Sequence, residues 1–245
     1  MDENAVAFEA LTGVVYLLVG LRLYALSRRT RLEPEWMIAA AFLLWAICYA
    51  FHELAYMLAP ADEPQEPLTA FAALLALNGG NIAFAQFTRV VFRARERWAG
   101  WLVATIAVGH VVGAAGSAWV GDWGQIDPLS NPAYWPQSAA ATATAIWMGV
   151  EGFLHYTSAR RRRKIGLCDA ITCHNFLLWC LVGALWAVLE IILVVQDLVH
   201  IRAGDWSDAL GLANGVLDLV PIGLIWLVFF PPAAYRRWVE GAVRT

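Results

Sequence analysis

Seven stretches of this chain are each long and apolar enough to cross a bilayer, and that feature constrains everything else. A hydrocarbon core of about 30 Å needs about 20 apolar residues per helix. The segments near 6–27, 36–59, 68–92, 99–120, 134–158, 171–198 and 208–231 meet that length. Lipid offers backbone amides no hydrogen-bond partner, so each segment must satisfy its own as a helix. The expected fold class is an all-α integral membrane protein, a seven-transmembrane-helix bundle formed by residues 1–245 as one domain. Composition agrees, at 60% hydrophobic and 15% charged, where a soluble domain carries roughly 25% charge. The acidic opening Met1-Asp2-Glu3-Asn4 lacks the basic start of a signal peptide, and the first span is expected to be retained.

The basic residues orient the bundle. Arg28, Arg29 and Arg31 follow the first span; Arg93, Arg95 and Arg97 follow the third; Arg160, Arg161, Arg162, Arg163 and Lys164 follow the fifth; Arg236, Arg237 and Arg244 follow the seventh. Fourteen of the 17 Lys and Arg residues thus occupy alternate connections, which the positive-inside rule assigns to the cytoplasm. The opposite connections hold Asp62, Glu63, Glu66, Asp122, Asp127, Asp205 and Asp208 with one base, Arg202. The expected orientation is N-terminus outside and C-terminus cytoplasmic. Trp36, Trp98, Trp101, Trp119, Trp123, Trp135, Trp206 and Trp238 fall at span ends, where indoles anchor at headgroup depth. The run Arg160 to Lys164 reads first as topology, and second as a contact for anionic lipid or a partner.

A net charge of −3 and a pI near 5.9 exclude the basic footprint of a nucleic-acid binder. Cys48, Cys168, Cys173 and Cys180 form no paired metal-type spacing, so neither a disulfide scaffold nor a zinc site is expected. His52, Glu53 and Glu190 are the sole metal nucleus to consider, without a supporting motif, and no metal is assigned. His52 and His110 differ in depth by more than a turn, which disfavours haem between them. Ser117 and Ser138 have no base placed against them, so no catalytic set is complete and no enzyme is expected.

Ionisable side chains inside a membrane are costly and mark function by default. In the second span Trp45, Tyr49, His52 and Tyr56 share a face, with Glu53 beside it. In the sixth, Trp179, Gly183, Trp186, Glu190 and Asp197 form a stripe, and in the seventh Asn214 and Asp218 share a face above Pro221. The third span adds Asn78 and Asn81 around Gly79 and Gly80. The outer half is therefore acid-rich without a buried base, and at least one carboxyl there is expected to be protonated or to share a proton with His52. The inner half holds Arg22, Gln86, Arg89, Glu151, His155 and His174, with a structural ion pair expected between Arg22 or Arg89 and Glu151. Asp197 and His200 are expected at the solvated outer boundary.

Span number, orientation, length and short loops together resemble the microbial rhodopsins. Trp179 and Trp186 have the spacing of the two tryptophans that sandwich retinal in that family, and Val216-Leu217-Asp218-Leu219-Val220-Pro221-Ile222 resembles its seventh helix. The resemblance implies a seven-helix fold in a bacterial or archaeal plasma membrane, and a ligand or chromophore site between helices. The chain departs from the pattern at Ile222, where the family has its Schiff-base lysine. Lys164 is the only lysine, so no covalent retinal can form within the membrane. Asn78 and Asn81 stand where the family has an Arg and an acidic counterion, and Gly183 replaces a proline. The chain also resembles the seven-helix input modules of bacterial signalling proteins, but without an attached output domain. Any output is expected through a separate cytoplasmic partner.

These readings converge on a receptor or sensor for a small or lipophilic ligand. Its expected cavity is lined by Trp45, Tyr49, His52, Glu53, Asn78, Asn81, Trp179, Trp186, Glu190, Asn214 and Asp218, with Pro221 and the Gly79-Gly80 pair as candidate hinges. A proton or ion pathway through the buried carboxyls, and a non-catalytic subunit of a larger membrane complex, are the alternatives.

Overall fold

A computed structural model describes residues 3–59, 66–121, 131–198 and 207–241. Among them are eight helices and no strand: α1 (Glu3–Thr30), α2 (Glu33–Met57), α3 (Pro67–Phe92), α4 (Arg97–Val120), α5 (Tyr134–Lys164), α6 (Ala170–Leu198), α7 (Ser207–Phe229) and α8 (Ala233–Gly241). The first seven coincide with the expected segments within a few residues, except that α5 extends through its basic run to Lys164. α8 was not expected. Pro231 and Pro232 end α7, because a residue preceding proline is pushed out of the α region, and the chain resumes as a short helix bent 84° from α7.

Local sequence sets the ends. Acidic Glu33 and Glu35, with a proline at the start, open α2, and the Glu66 side chain caps α3 by accepting from the amides of Leu68 at 3.2 Å and Thr69 at 2.8 Å. Those bonds hold the exposed Glu66 carboxyl below the usual carboxylate range. α4 ends at Gly121 and the α5–α6 turn passes through Gly166, both with φ of 74°, a left-handed geometry that glycine adopts without strain. Asp169 opens α6, accepting from Thr172 N and Thr172 Oγ1, each at 2.7 Å.

Each of the helices α1 to α7 packs on its chain neighbours, and α7 returns to α1, which closes the ring. Inside the ring, Phe42, Trp45, Phe84, Phe87, Trp179, Trp186, Ile222 and Ile225 form one buried cluster. Small residues bring α5 and α6 together: a Cβ on Gly183 would lie 2.2 Å from the backbone nitrogen of Gly149, and one on Gly152 would lie 2.4 Å from that of Cys180. Close approach through small residues is how helices associate without a hydrophobic driving force.

The outer surface is apolar. Leu18, Val108, Val111, Ile191 and Val195 are all exposed. Among the described residues five helices, α1 to α4 and α6, have the length and apolarity to cross a membrane, and α7 joined to α8 forms a sixth, bent candidate. This is an integral membrane protein by the character of its helices. Six of the eight expected anchors are described, and Trp36, Trp98, Trp101, Trp119, Trp135 and Trp238 are all exposed. Trp123, Trp206, His200 and the acidic connections at 60–65, 122–130 and 199–206 lie outside the described residues.

Candidate functional site

The site is built on Asp218. Its position on α7 faces the ring interior, and the two carboxyl oxygens are taken by different helices. The Tyr16 hydroxyl on α1 donates to Oδ1 at 2.6 Å, and the Tyr49 hydroxyl on α2 donates to Oδ2 at 2.8 Å. The two phenol rings stack with centroids 5.6 Å apart, and the Trp186 indole of α6 is turned to the same carboxyl. Four helices thus converge on one acid. Such a clasp supplies hydrogen bonds to a carboxylate without a counter-charge. Glu190, one turn above Trp186, is close enough to Asp218 to interact with its charge.

Around the clasp the interior is filled by aromatic contacts. Trp45 meets Trp186 at 5.3 Å and Phe84 at 5.6 Å, while Trp186 meets Phe84 at 5.1 Å. Trp179 lies a layer lower, against Phe87 at 5.1 Å and Phe229 at 6.1 Å. Trp45, Trp179 and Trp186 therefore form walls packed on other rings. Asn81 is used by Trp45, whose indole N–H donates to its carbonyl at 3.1 Å. Asn78 is used by the fully buried His110 of α4, whose Nδ1–H donates to Asn78 Oδ1 at 2.9 Å. These two amides join α3 to its neighbours and stand apart from Asp218. The Gly79-Gly80 pair lies within the unbroken α3, and a Cβ on Gly80 would approach Trp45 to 2.6 Å, so the glycine here serves packing.

Toward the rim the groups are polar and half-buried. His52 pairs with Glu9 of α1 at 3.2 Å and not with its neighbour Glu53, whose Oε1 is buried without a hydrogen-bond partner. Asn214 donates to Gln196 at 3.2 Å. Asp197 is exposed, as expected, and accepts from Tyr134 at 2.7 Å. Of the expected ligand set, the structure gathers Tyr49, Trp186, Glu190 and Asp218 at one place, with Trp45 packed on Tyr16 and Trp186 beside them, puts His52, Glu53 and Asn214 above it, and separates Asn78, Asn81 and Trp179 from it.

The arginine-rich end of the bundle corrects one expectation. Glu151 of α5 pairs with neither Arg22 nor Arg89. Its partner is Arg93, whose Nε donates to both carboxylate oxygens at 2.8 and 3.0 Å, while the Trp147 indole donates at 3.2 Å. Arg93 sits at the C-cap of α3 with φ of −140°, so the chain has left the helix axis and its side chain turns back over α5. Arg22 lies over the rings of Trp226 and Phe230 at 4.7 and 4.5 Å, a cation–π placement. Arg89 donates to Gln86 at 3.4 Å.

Tyr16, Glu9 and Arg93 are residues that sequence reasoning missed. Tyr16 carried a signal, a hydroxyl four residues from Thr12 on a span otherwise suited to lipid. Arg93 carried none, because it belongs to a loop by charge pattern. Among the described residues no group of three metal-ligating side chains occurs. Comparison with protein-family models, curated proteins and solved structures finds no match to this chain.

Proposed function

We propose that this protein is a seven-span receptor, N-terminus outside, that recognises a small cationic ligand with an apolar body at the Asp218 clasp and signals through a separate cytoplasmic partner. Support for seven spans comes from the closed ring. α5 is not among the helices apolar enough to cross unaided, yet it packs between α4 and α6, and Arg93 neutralises its buried Glu151. The alternating bases support the orientation.

The observation that carries the ligand reading is the Asp218 carboxyl bonded by Tyr16 and Tyr49 with no Lys or Arg among the described residues of that half. Glu9, Glu53 and Glu190 add further acid. Carboxyls framed by aromatic faces favour an organic ammonium, through charge and cation–π attraction together. A ligand that takes over Asp218 releases the two tyrosine bonds, and so changes how α1 and α2 hold α7. That is a change with a defined pair of states.

The test uses the protein in nanodiscs, with its tryptophan fluorescence followed against tetramethylammonium, choline and longer alkylammonium ions. A saturable change in the wild type that Asp218→Asn abolishes is expected. No response, or an equal response in Asp218→Asn, overturns the reading. A visible absorption band in the purified protein would replace the colourless ligand by a chromophore.

A proton path is the second reading. It is favoured by the hydroxyls and the His52–Glu9 pair that continue outward from Asp218, and opposed below Asp218 by the fully buried Ile222 and Ile225 and the Trp179 layer. It predicts pH-driven flux in liposomes.

A further inference from the structure

We propose that the cleft between the end of α5, the start of α6 and α8 binds the phosphate headgroup of an anionic phospholipid of the leaflet at the arginine-rich end. The cleft has a volume of about 170 Å³ and is lined by Tyr156, Arg160, Arg163, His174, Leu177 and Trp238, among others. Arg160 and Arg163 are three residues apart on α5, which puts both guanidinium groups on one face. Among the described residues neither is in an ion pair, since the pairs formed are His52–Glu9, Arg93–Glu151 and His155–Glu151. The acid of the adjoining turn, Asp169, is engaged by Thr172 and lines the cleft on the other side of the α5–α6 hairpin. α6 starts at Ala170 on the cleft wall, so the positive end of its dipole adds to the two arginines. The site offers cations, a phenol and an imidazole, with no carboxylate in its lining. A phosphate diester is the complementary ligand.

The depth of the cleft selects a lipid. α8 leaves α7 at 84°, and Trp238, 62% exposed, stacks edge-on against His174 with centroids 6.0 Å apart. A short helix lying across the bundle axis with an outward indole marks the headgroup layer. Leu177, Val239 and Trp238 then give the glycerol and the first acyl methylenes an apolar wall that a free phosphate would not use. The inference is independent of the Asp218 reading and holds whichever ligand the other end of the bundle takes.

Native mass spectrometry of the full protein in mild detergent, titrated with phosphatidylglycerol or phosphatidylcholine, tests it. Preferential retention of phosphatidylglycerol is expected, reduced about thirtyfold in Arg160→Gln/Arg163→Gln, a factor of about five per arginine. Arg28→Gln/Arg29→Gln, which removes two exposed arginines of α1 from the same end, should retain the wild-type preference. Equal loss in the two double variants, or equal retention of the two lipids by the wild type, overturns the proposal. Displacement of phosphatidylglycerol by millimolar-scale inorganic phosphate would transfer the site to a free phosphate and overturn the lipid assignment. Should the double variant lose its helical content, the lipid preference of the wild type alone decides.

Discussion

The two ends of the bundle each hold an acid between helices, Glu151 buried and Asp218 half-buried, and treat it differently. At the arginine-rich end Glu151 is met by a guanidinium, an indole and a histidine ring, Arg93, Trp147 and His155. At the opposite end Asp218 is met by two phenols and, among the described residues, no cation. A paired carboxylate is a completed structure, because its charge has been answered and removing either partner strands the other. A carboxyl held only by neutral donors can exchange them for a ligand at little net cost. The contrast is what supports the proposal of recognition at the Asp218 end and structure at the other.

Glu151→Gln should break the contrast most severely. It strands Arg93, and with Arg93 partly exposed we expect a loss of about 3 kcal/mol, read as a fall in the unfolding temperature in detergent. Partial recovery is expected in the double variant with Arg93→Gln. Gly152→Ala, next to Glu151, pushes α5 off α6, because its Cβ would meet the Cys180 backbone nitrogen at 2.4 Å. About 2 kcal/mol is expected from the same melt. Asp218→Asn, by contrast, should change stability by about 1 kcal/mol or less while abolishing the alkylammonium response. A loss as large as that of Glu151→Gln would show that both acids are structural.

Tyr16→Phe and Tyr49→Phe sharpen the comparison, since each removes one bond to Asp218 at about 1 kcal/mol. If Asp218 exchanges partners on ligand binding, each variant should tighten ammonium binding as it weakens the free clasp, and unchanged affinity in both would count against that exchange. Asp169 is the smallest effect. Bonds from Thr172 hold its carboxyl below the usual range, so its contribution is present above the unfolded carboxylate pKa and is lost as pH falls through the lowered value. Exposure reduces the cap to about 0.5 kcal/mol, and Asp169→Ala should remove that part of the acid sensitivity of the melt.

The positions of α1 to α7 were legible, because they depend on the length of each apolar run, a one-dimensional quantity, whereas the short α8 was not. The exposure of Trp119 and Trp238 was legible too, since an indole at the end of an apolar run anchors wherever the helix rotates. Asp218 stood out as an acid in an apolar span. Tyr49 and Trp186 were expected in the same cavity, but Tyr16 was not, because it lies 202 residues away and meets Asp218 only when α7 closes on α1. Arg93 was assigned to a loop by its charge pattern, and only the turn at the end of α3 brings it over Glu151. Asn78 and Asn81 were placed in the site by depth, and helix rotation assigned them to His110 and Trp45 instead.

The sequence alone therefore determined that this chain is a set of membrane-type helices, because burying backbone amides in lipid leaves no other option. Tertiary structure alone decided which acid received a counter-charge and which was left to tyrosines. Pairing depends on helix order around the ring and on rotation about each axis, and no local run of residues encodes either.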